Sequence, residues 1–237
     1  MFHPDGPSFW ELVVEGLQST ERGYDMIAPK FDNTPFRTPD WIMEPAIARV
    51  GEVDRALDVC CGTGAAMRLL RPHCRRDVVG IDFSDGMMQE AARRLAEGSE
   101  GSAAVGFVRG DALEIPFEGA FDVATSFGAF GHVLPEDEPR FVNSIRRALK
   151  LGGRFVFVTS TMPPKSSARY WLARGFNAAM HVRNAIIKPE FIMYYLTFLL
   201  PDASRLLEDH GFSVEVHEAG FPKPFEGGWV VVATRVR

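Results

Sequence analysis

Short apolar runs alternate with amphipathic stretches through the middle of this chain. Residues 56–59, 78–81, 105–108, 121–126 and 154–160 are brief, apolar and rich in Val, Ile, Ala and Phe. That pattern predicts buried strands. Between them the apolar spacing changes to three and four. From about Ser84, Met87, Met88, Ala91, Ala92 and Leu95 fall on one side of a helix, and Phe141, Ile145, Ala148 and Leu149 mark the buried face of another. The pair Gly152-Gly153 predicts the stop of that second helix. Strand and helix alternating between about residues 54 and 160 argue for a mostly parallel sheet with helices on both faces.

The flanks read differently. Phe9-Trp10, Leu12-Val13-Val14 and Leu17 predict a short, partly buried helix, and a loop follows through Asp32-Asn33-Thr34-Pro35. Thr38 as N-cap, with Pro39 at the first helical position, opens a helix toward Val50. Residues 166–200 read as helical and apolar, with Tyr170, Trp171, Phe176, Met180, Phe191, Tyr194, Tyr195 and Phe198. Residues 202–210 predict a capped helix ending at Gly211. Residues 212–217 and 229–234 predict antiparallel neighbours, because their short connection holds no helix. The expected organisation is one domain over residues 1–237, with a helical cover over 1–51 and a helical lid insertion over 161–201.

Composition narrows the partners. The 237 residues are 46% hydrophobic and 24% charged, with a formal net charge of -5. One α/β domain with a full core fits this length. Without a long basic run, nothing favours nucleic acid. Cys60, Cys61 and Cys74 match neither a disulfide framework nor a zinc site. They predict reduced thiols in a cytoplasmic protein without a metal. The first residues show no signal-peptide pattern, and the apolar run 191–200 is too short to span a bilayer.

The candidate chemistry sits at the ends of the strands. After Asp58-Val59-Cys60-Cys61, Gly62 and Gly64 allow a tight turn that brings backbone close to a ligand. The helix that follows points its amide groups at that ligand. Such a turn alone is also compatible with an ordinary loop. Asp82, ending the second strand, sharpens it: a carboxylate there accepts hydrogen bonds from two ribose hydroxyls, although it can also cap the next helix beside Ser84. Asp111-Ala112 follows the third strand, where a carboxylate and a backbone amide can read an adenine edge. A surface turn is the plainer alternative for that pair.

These motifs together resemble the class I S-adenosylmethionine-dependent methyltransferases. The resemblance rests on Asp58-Val59-Cys60-Cys61-Gly62-Thr63-Gly64, Gly80-Ile81-Asp82-Phe83-Ser84 with Met87, Gly110-Asp111-Ala112, and Leu149-Lys150-Leu151-Gly152-Gly153. Tyr24-Asp25-Met26-Ile27-Ala28-Pro29-Lys30-Phe31-Asp32 looks like the N-terminal cofactor-covering segment of the small-molecule branch, which includes the ubiquinone/menaquinone-biosynthesis type. The resemblance implies a doubly wound, seven-stranded, mostly parallel sheet with an antiparallel last strand. It implies S-adenosyl-L-methionine as cofactor, with Tyr24 in its cover. Asp58 and the turn of Gly62 and Gly64 would face the methionine part, Cys60 would belong to the same cofactor-binding loop, and Asp82 would hold the ribose. Phe83 and Met87 would flank the adenine, Asp111 and Ala112 would read its edge, and Ser126 and Phe127 would lie beneath the sulfonium. Cys60 departs from the family, which usually has glycine there.

Methyl transfer is a direct displacement that needs alignment, exclusion of water and sometimes a base. His132, just beyond the fourth strand, is the best available base, with an unperturbed pKa suited to neutral pH. A loop histidine that only shapes the pocket is the alternative. His181 and Tyr24 are weaker candidates. The aromatic residues of 161–201 imply an apolar or aromatic small substrate, or simply the core of an added layer. Transient membrane contact to fetch a lipid-soluble substrate is a further reading. No Asn/Asp-Pro-Pro-aromatic signature follows the fourth strand, which disfavours methylation of base or glutamine amino groups. Two other classes stay open. A nicotinamide-dependent oxidoreductase shares the turn and the distal acid, but its fingerprint places a third glycine where Met67 stands. A catalytically silent S-adenosylmethionine-binding module shares every cofactor position.

Overall fold

Seven strands form one sheet in the order β3-β2-β1-β4-β5-β7-β6. A computed structural model describes residues 3–98, 100–223 and 226–237. The strands are β1 (Val53–Val59), β2 (Cys74–Asp82), β3 (Ala104–Arg109), β4 (Phe121–Thr125), β5 (Leu149–Ser160), β6 (Phe212–Glu218) and β7 (Gly228–Arg235). β1 to β5 pair in parallel; β7 runs antiparallel to both β5 and β6. Helices α4 (Ala65–Leu70), α5 (Asp85–Gly98) and α6 (Glu138–Ala148) lie between the parallel strands, while α7 (Ala168–Ile186) and α8 (Asp202–Asp209) separate β5 from β6. The strand order reverses between β1 and β4, and open sheets of this kind bind ligands at such a switch point.

Alternation along each strand builds two cores. Leu57, Val59, Phe155, Phe157, Val231 and Ala233 point to one face and pack with Phe141, Ile145 and Leu207. Their neighbours Ala56, Val156, Val230 and Val232 point to the other and pack with Met43, Met67 and Leu70. Each fully buried Phe or Leu contributes roughly 1.5–3 kcal/mol.

The N-terminal cover holds more helix than its sequence predicts. α1 (Phe9–Gly16) is joined by α2 (Thr20–Ile27), a 3-10 turn over Ala28–Asn33, and α3 (Asp40–Ile47). Carboxylates lock it to the sheet domain. Asp25 accepts from the Ser84 hydroxyl at 2.6 Å and the Gly86 amide at 2.9 Å, so α2 caps α5. Asp32 accepts from the Thr63 hydroxyl and from Arg94. Pro39, not Thr38, is the N-cap of α3, and that helix stops at Ile47 rather than reaching Val50.

Three further expectations are corrected. The helix predicted over 166–200 ends at Ile186, because Pro189 removes an amide donor and pushes the residue before it out of helical geometry. Residues 191–200 instead fold back irregularly over the sheet's end: the Tyr194 amide donates to Gly131 and the Leu200 amide to Ser160. A Cβ at Gly131 would lie 2.5 Å from the Tyr194 carbonyl oxygen, so this approach requires glycine. The glycine pair 152–153 is not a helix stop. α6 passes directly into β5 at Leu149, and the pairing jumps from Phe121–Leu149 to Val123–Arg154. The glycines sit in that bulge, where Gly152 has φ +79°. On α5, Ala92 is exposed and Glu90 is buried, holding Arg93 and Arg94.

Candidate functional site

A pocket opens at the carboxyl ends of β1, β2 and β4, beneath the N-terminal cover. Its walls include Tyr24, Asp58, Cys60, Gly62, Asp82, Phe83, Met87, Phe127 and His132. Nine of the thirteen residues expected there therefore share one cavity.

Asp58 arrives at the end of an otherwise apolar strand. Its carboxylate accepts from the Thr125 hydroxyl at 2.9 Å. Burial pushes its pKa up to about 7, with the nearby Asp82 charge adding to the effect. Asp82 accepts from the Gly62 amide at 2.8 Å and from the Ser84 amide at 2.9 Å. Burial raises its pKa against the pull of those amides. Asp82 faces the pocket with a further lone pair on each carboxylate oxygen, whereas the cap of α5 is Ser84, whose hydroxyl accepts from the Met87 amide at 3.1 Å. Two buried acids in one pocket favour a cationic or hydroxyl-rich ligand.

Cys60 has φ +58°, the left-handed region that costs an L-residue about 1–2 kcal/mol. A glycine would be relaxed there but looser when unfolded, by roughly 0.5–1 kcal/mol. Cys60→Gly is therefore expected to leave stability within about 1 kcal/mol, whereas the β-branched Cys60→Val loses about 2 kcal/mol or more. Urea unfolding of the two variants checks this; a Val variant as stable as the parent contradicts the strain.

His132 closes a 3-10 turn, Phe130–His132. Its Nδ1 is 2.5 Å from the Ile192 carbonyl oxygen, an acceptor only, so Nδ1 carries the proton. Nε2 then accepts from the Tyr24 hydroxyl at 2.8 Å. Burial lowers the His132 pKa, opposed by Ile192, and raises that of Tyr24. His181 lies away from this pair, with Nδ1 3.4 Å from the Tyr194 hydroxyl.

Four expected residues do not line this pocket. Asp111 is exposed, and its carboxylate accepts from the Leu113 amide, capping a 3-10 turn. Ala112 packs against the core. The buried Ser126 donates to the Val59 carbonyl at 2.9 Å, tying β4 to β1. Gly64, φ +80°, faces Ala91 and Leu95 of α5. Each lies at or just after a strand end, as expected, and in this structure makes a local turn or packing contact outside the cavity wall. The pocket also includes Phe31, from the covering segment, and Phe36, Arg37 and Thr38, which sequence reading missed. Arg37 Nε is buried without a hydrogen-bond partner, 3.6 Å from Asp32. An arginine in a loop before a predicted helix carries no local signal of such a position.

Residues 56–153 match a family described as a methyltransferase domain. A demethylmenaquinone methyltransferase of Thermotoga maritima is 30% identical over 174 residues, covering 68% of this chain and 71% of the relative. Those of Clavibacter sepedonicus and Lactococcus lactis are 36% and 33% identical. These alignments cover 54% and 65% of this chain, but only 48% and 60% of the relatives' own length. Among solved structures, the N-methyltransferase NodS of Bradyrhizobium japonicum, in complex with S-adenosyl-L-homocysteine, superposes with a TM-score of 0.64 at 14% identity. The match covers 93% of this chain and all of NodS. A Mesorhizobium loti S-adenosylmethionine-dependent methyltransferase gives 0.57 at 22% identity, over 82% of this chain and 98% of its own. The solved structures share the fold, and the Thermotoga maritima relative is 30% identical over more than two thirds of both chains: this chain belongs to the class I S-adenosylmethionine-dependent methyltransferases, on the branch of the demethylmenaquinone methyltransferases.

Proposed function

We propose that this protein transfers a methyl group from S-adenosylmethionine to a small apolar or aromatic metabolite. The observation that carries the reading is one pocket holding two buried carboxylates, Asp58 and Asp82, together with the Tyr24–His132 pair and aromatic walls.

The residues present fit the cofactor. Asp58 would face its cationic methionine end and Arg37 its carboxylate; Asp82 would take the ribose hydroxyls, with Phe83 and Met87 beside the adenine. When bound, S-adenosylmethionine supplies an electrophilic methyl group on a sulfonium. The chain's own part is to orient the acceptor, keep water out and move a proton. Tyr24 and His132 form a relay: the tyrosine oxygen takes a proton from an acceptor hydroxyl as its own proton passes to His132 Nε2. Loss of that proton makes the oxygen, or the ring carbon beside it, nucleophilic. The relatives' name directs the first test to a hydroxylated, quinol-like aromatic. The chain's net charge of -5 supports a small acceptor over nucleic acid, and its free cysteines support a cytoplasmic setting.

S-adenosylhomocysteine is expected to raise the melting temperature and NAD to leave it unchanged. Stabilisation by NAD alone would overturn the cofactor assignment in favour of an oxidoreductase. Asp82→Ala should weaken S-adenosylhomocysteine binding about tenfold to a hundredfold, measured by calorimetry on a variant whose melting shows it folded. Unchanged affinity contradicts the ribose contact. Cofactor binding without labelled methyl transfer into quinols or a metabolite extract marks a silent module instead.

A further inference from the structure

Two helices of this protein carry an apolar face into solvent. An amphipathic helix ordinarily hides its apolar stripe. α1 half-buries Leu12 and Val13 but leaves Trp10 72% exposed, with Phe9, Val14 and Leu17 also outward, while Glu15 is buried. α7 does the same, with Phe176 and Met180 half-buried on its inner side. Trp171 is 63% exposed, Leu172 74%, Val182 60% and Ile186 76%, while its buried residue is the polar Asn184. Trp171, Gly175, Ala178, Val182 and Ile186 recur at helical spacing, so the apolar surface is one continuous stripe.

Arg183 joins the two helices. Its Nε donates to the Gly16 carbonyl and its Nη2 to that of Gln18, both at 2.8 Å. The end of α1 is thereby fastened to α7. The inner side of α7 leads toward the pocket: Asn184 donates to the Phe191 carbonyl at 3.1 Å, and the Phe191 ring stacks 6.3 Å from Tyr24.

Charge selects the occupant. Residues 161–189 carry Lys165, Arg169, Arg174, Arg183 and Lys188 and not one Asp or Glu, in a chain of net charge -5; Arg183 is spent on α1 and Lys188 pairs with Glu190, so the basic margin of the stripe is Lys165, Arg169 and Arg174. A tryptophan-bearing apolar stripe edged by basic residues is the chemistry of an interfacial helix on an anionic bilayer. Pairing α7 with α7 of a second copy would set basic margins against each other. Among the described residues no helix is long and apolar enough to cross a membrane. We infer that α1 and α7 form a docking surface that rests on the face of a bilayer containing anionic phospholipid. Its use in collecting an apolar acceptor rests on the reading above; the docking itself does not.

The test floats the full chain with vesicles of phosphatidylcholine alone or mixed with phosphatidylglycerol. Cosedimentation with the mixed vesicles is expected, with a blue shift of tryptophan emission from Trp10 and Trp171. Raising the salt should weaken binding. Leu172→Glu with Ile186→Glu should bind the mixed vesicles about a hundredfold more weakly. Because both positions are exposed, melting temperature and S-adenosylhomocysteine binding should stay unchanged. No binding to the mixed vesicles overturns the inference. So does self-association of the parent chain that the double substitution abolishes without any vesicle binding, which would assign the surface to a second copy. Vesicle binding without methyl transfer leaves the docking standing and counts against the proposed activity alone.

Discussion

Asp58→Asn is expected to stabilise the ligand-free protein at pH 8 and to weaken S-adenosylmethionine binding about a hundredfold. The two effects have one cause. Burial raises the Asp58 pKa to about 7, from 3.8 for a free carboxyl. Between those values the folded state holds a proton that the unfolded state has lost. Stability therefore falls as pH rises through that window, and the penalty is complete above pH 7. A shift of about three units corresponds to at most about 4 kcal/mol, since each unit is worth 1.36 kcal/mol. Asparagine keeps an oxygen for the Thr125 hydroxyl and carries no charge to desolvate. A gain on the order of 5 °C in melting temperature at pH 8 follows, shrinking toward zero near pH 4. Removing the charge also removes the partner for a cationic ligand, and a charge-assisted contact is worth about 1.5–3 kcal/mol. Melting curves across pH and calorimetry with S-adenosylmethionine check the two halves separately. A variant less stable at pH 8 would contradict the burial argument, and unchanged affinity would contradict the contact.

Tyr24→Phe and His132→Ala should each slow methyl transfer by about 10²–10⁴-fold while leaving cofactor affinity within about threefold. Tyr24→Phe keeps the ring that packs at 5.8 Å on Phe31 and 5.2 Å on His132. It removes only the hydroxyl. In the proposed relay the two residues act as one unit, so the double variant should be little slower than either single one. The relay needs a neutral imidazole, and burial lowers the His132 pKa from 6.5. The parent kcat should therefore rise with pH to a plateau, with a midpoint below 6.5. His132→Ala should lose that acid limb. Single-turnover rates with saturating cofactor measure this directly; unaltered rates would remove both residues from the chemistry.

Some of this site was readable because it is local. The turn glycine Gly62, the acid Asp82 and the apolar runs before them follow one another within single strand-turn-helix units. Their periodicity is set by backbone geometry that neighbours do not alter. The same holds for the antiparallel end of the sheet, since a short link without a helix permits little else. The sequence was misread where a residue had two local uses: the glycines 152–153 make a bulge rather than a stop. Asp111 caps its own turn and Ser126 ties β4 to β1, both outside the cavity wall.

The sequence by itself determined a methyltransferase-type α/β sheet, its nucleoside-binding edge and a histidine beside it. These depend on residues near one another along the chain. Only the tertiary structure decided what that histidine meets. Tyr24 lies 108 residues from His132, and Ile192 lies 60 residues beyond it. Their meeting sets the tautomer and occupies Nε2, which no spacing rule encodes. Tertiary structure also decided which way α1 and α7 face. An apolar stripe reads the same whether it points at a core or at a bilayer. Only the position of the rest of the chain shows that the core lies on the other side.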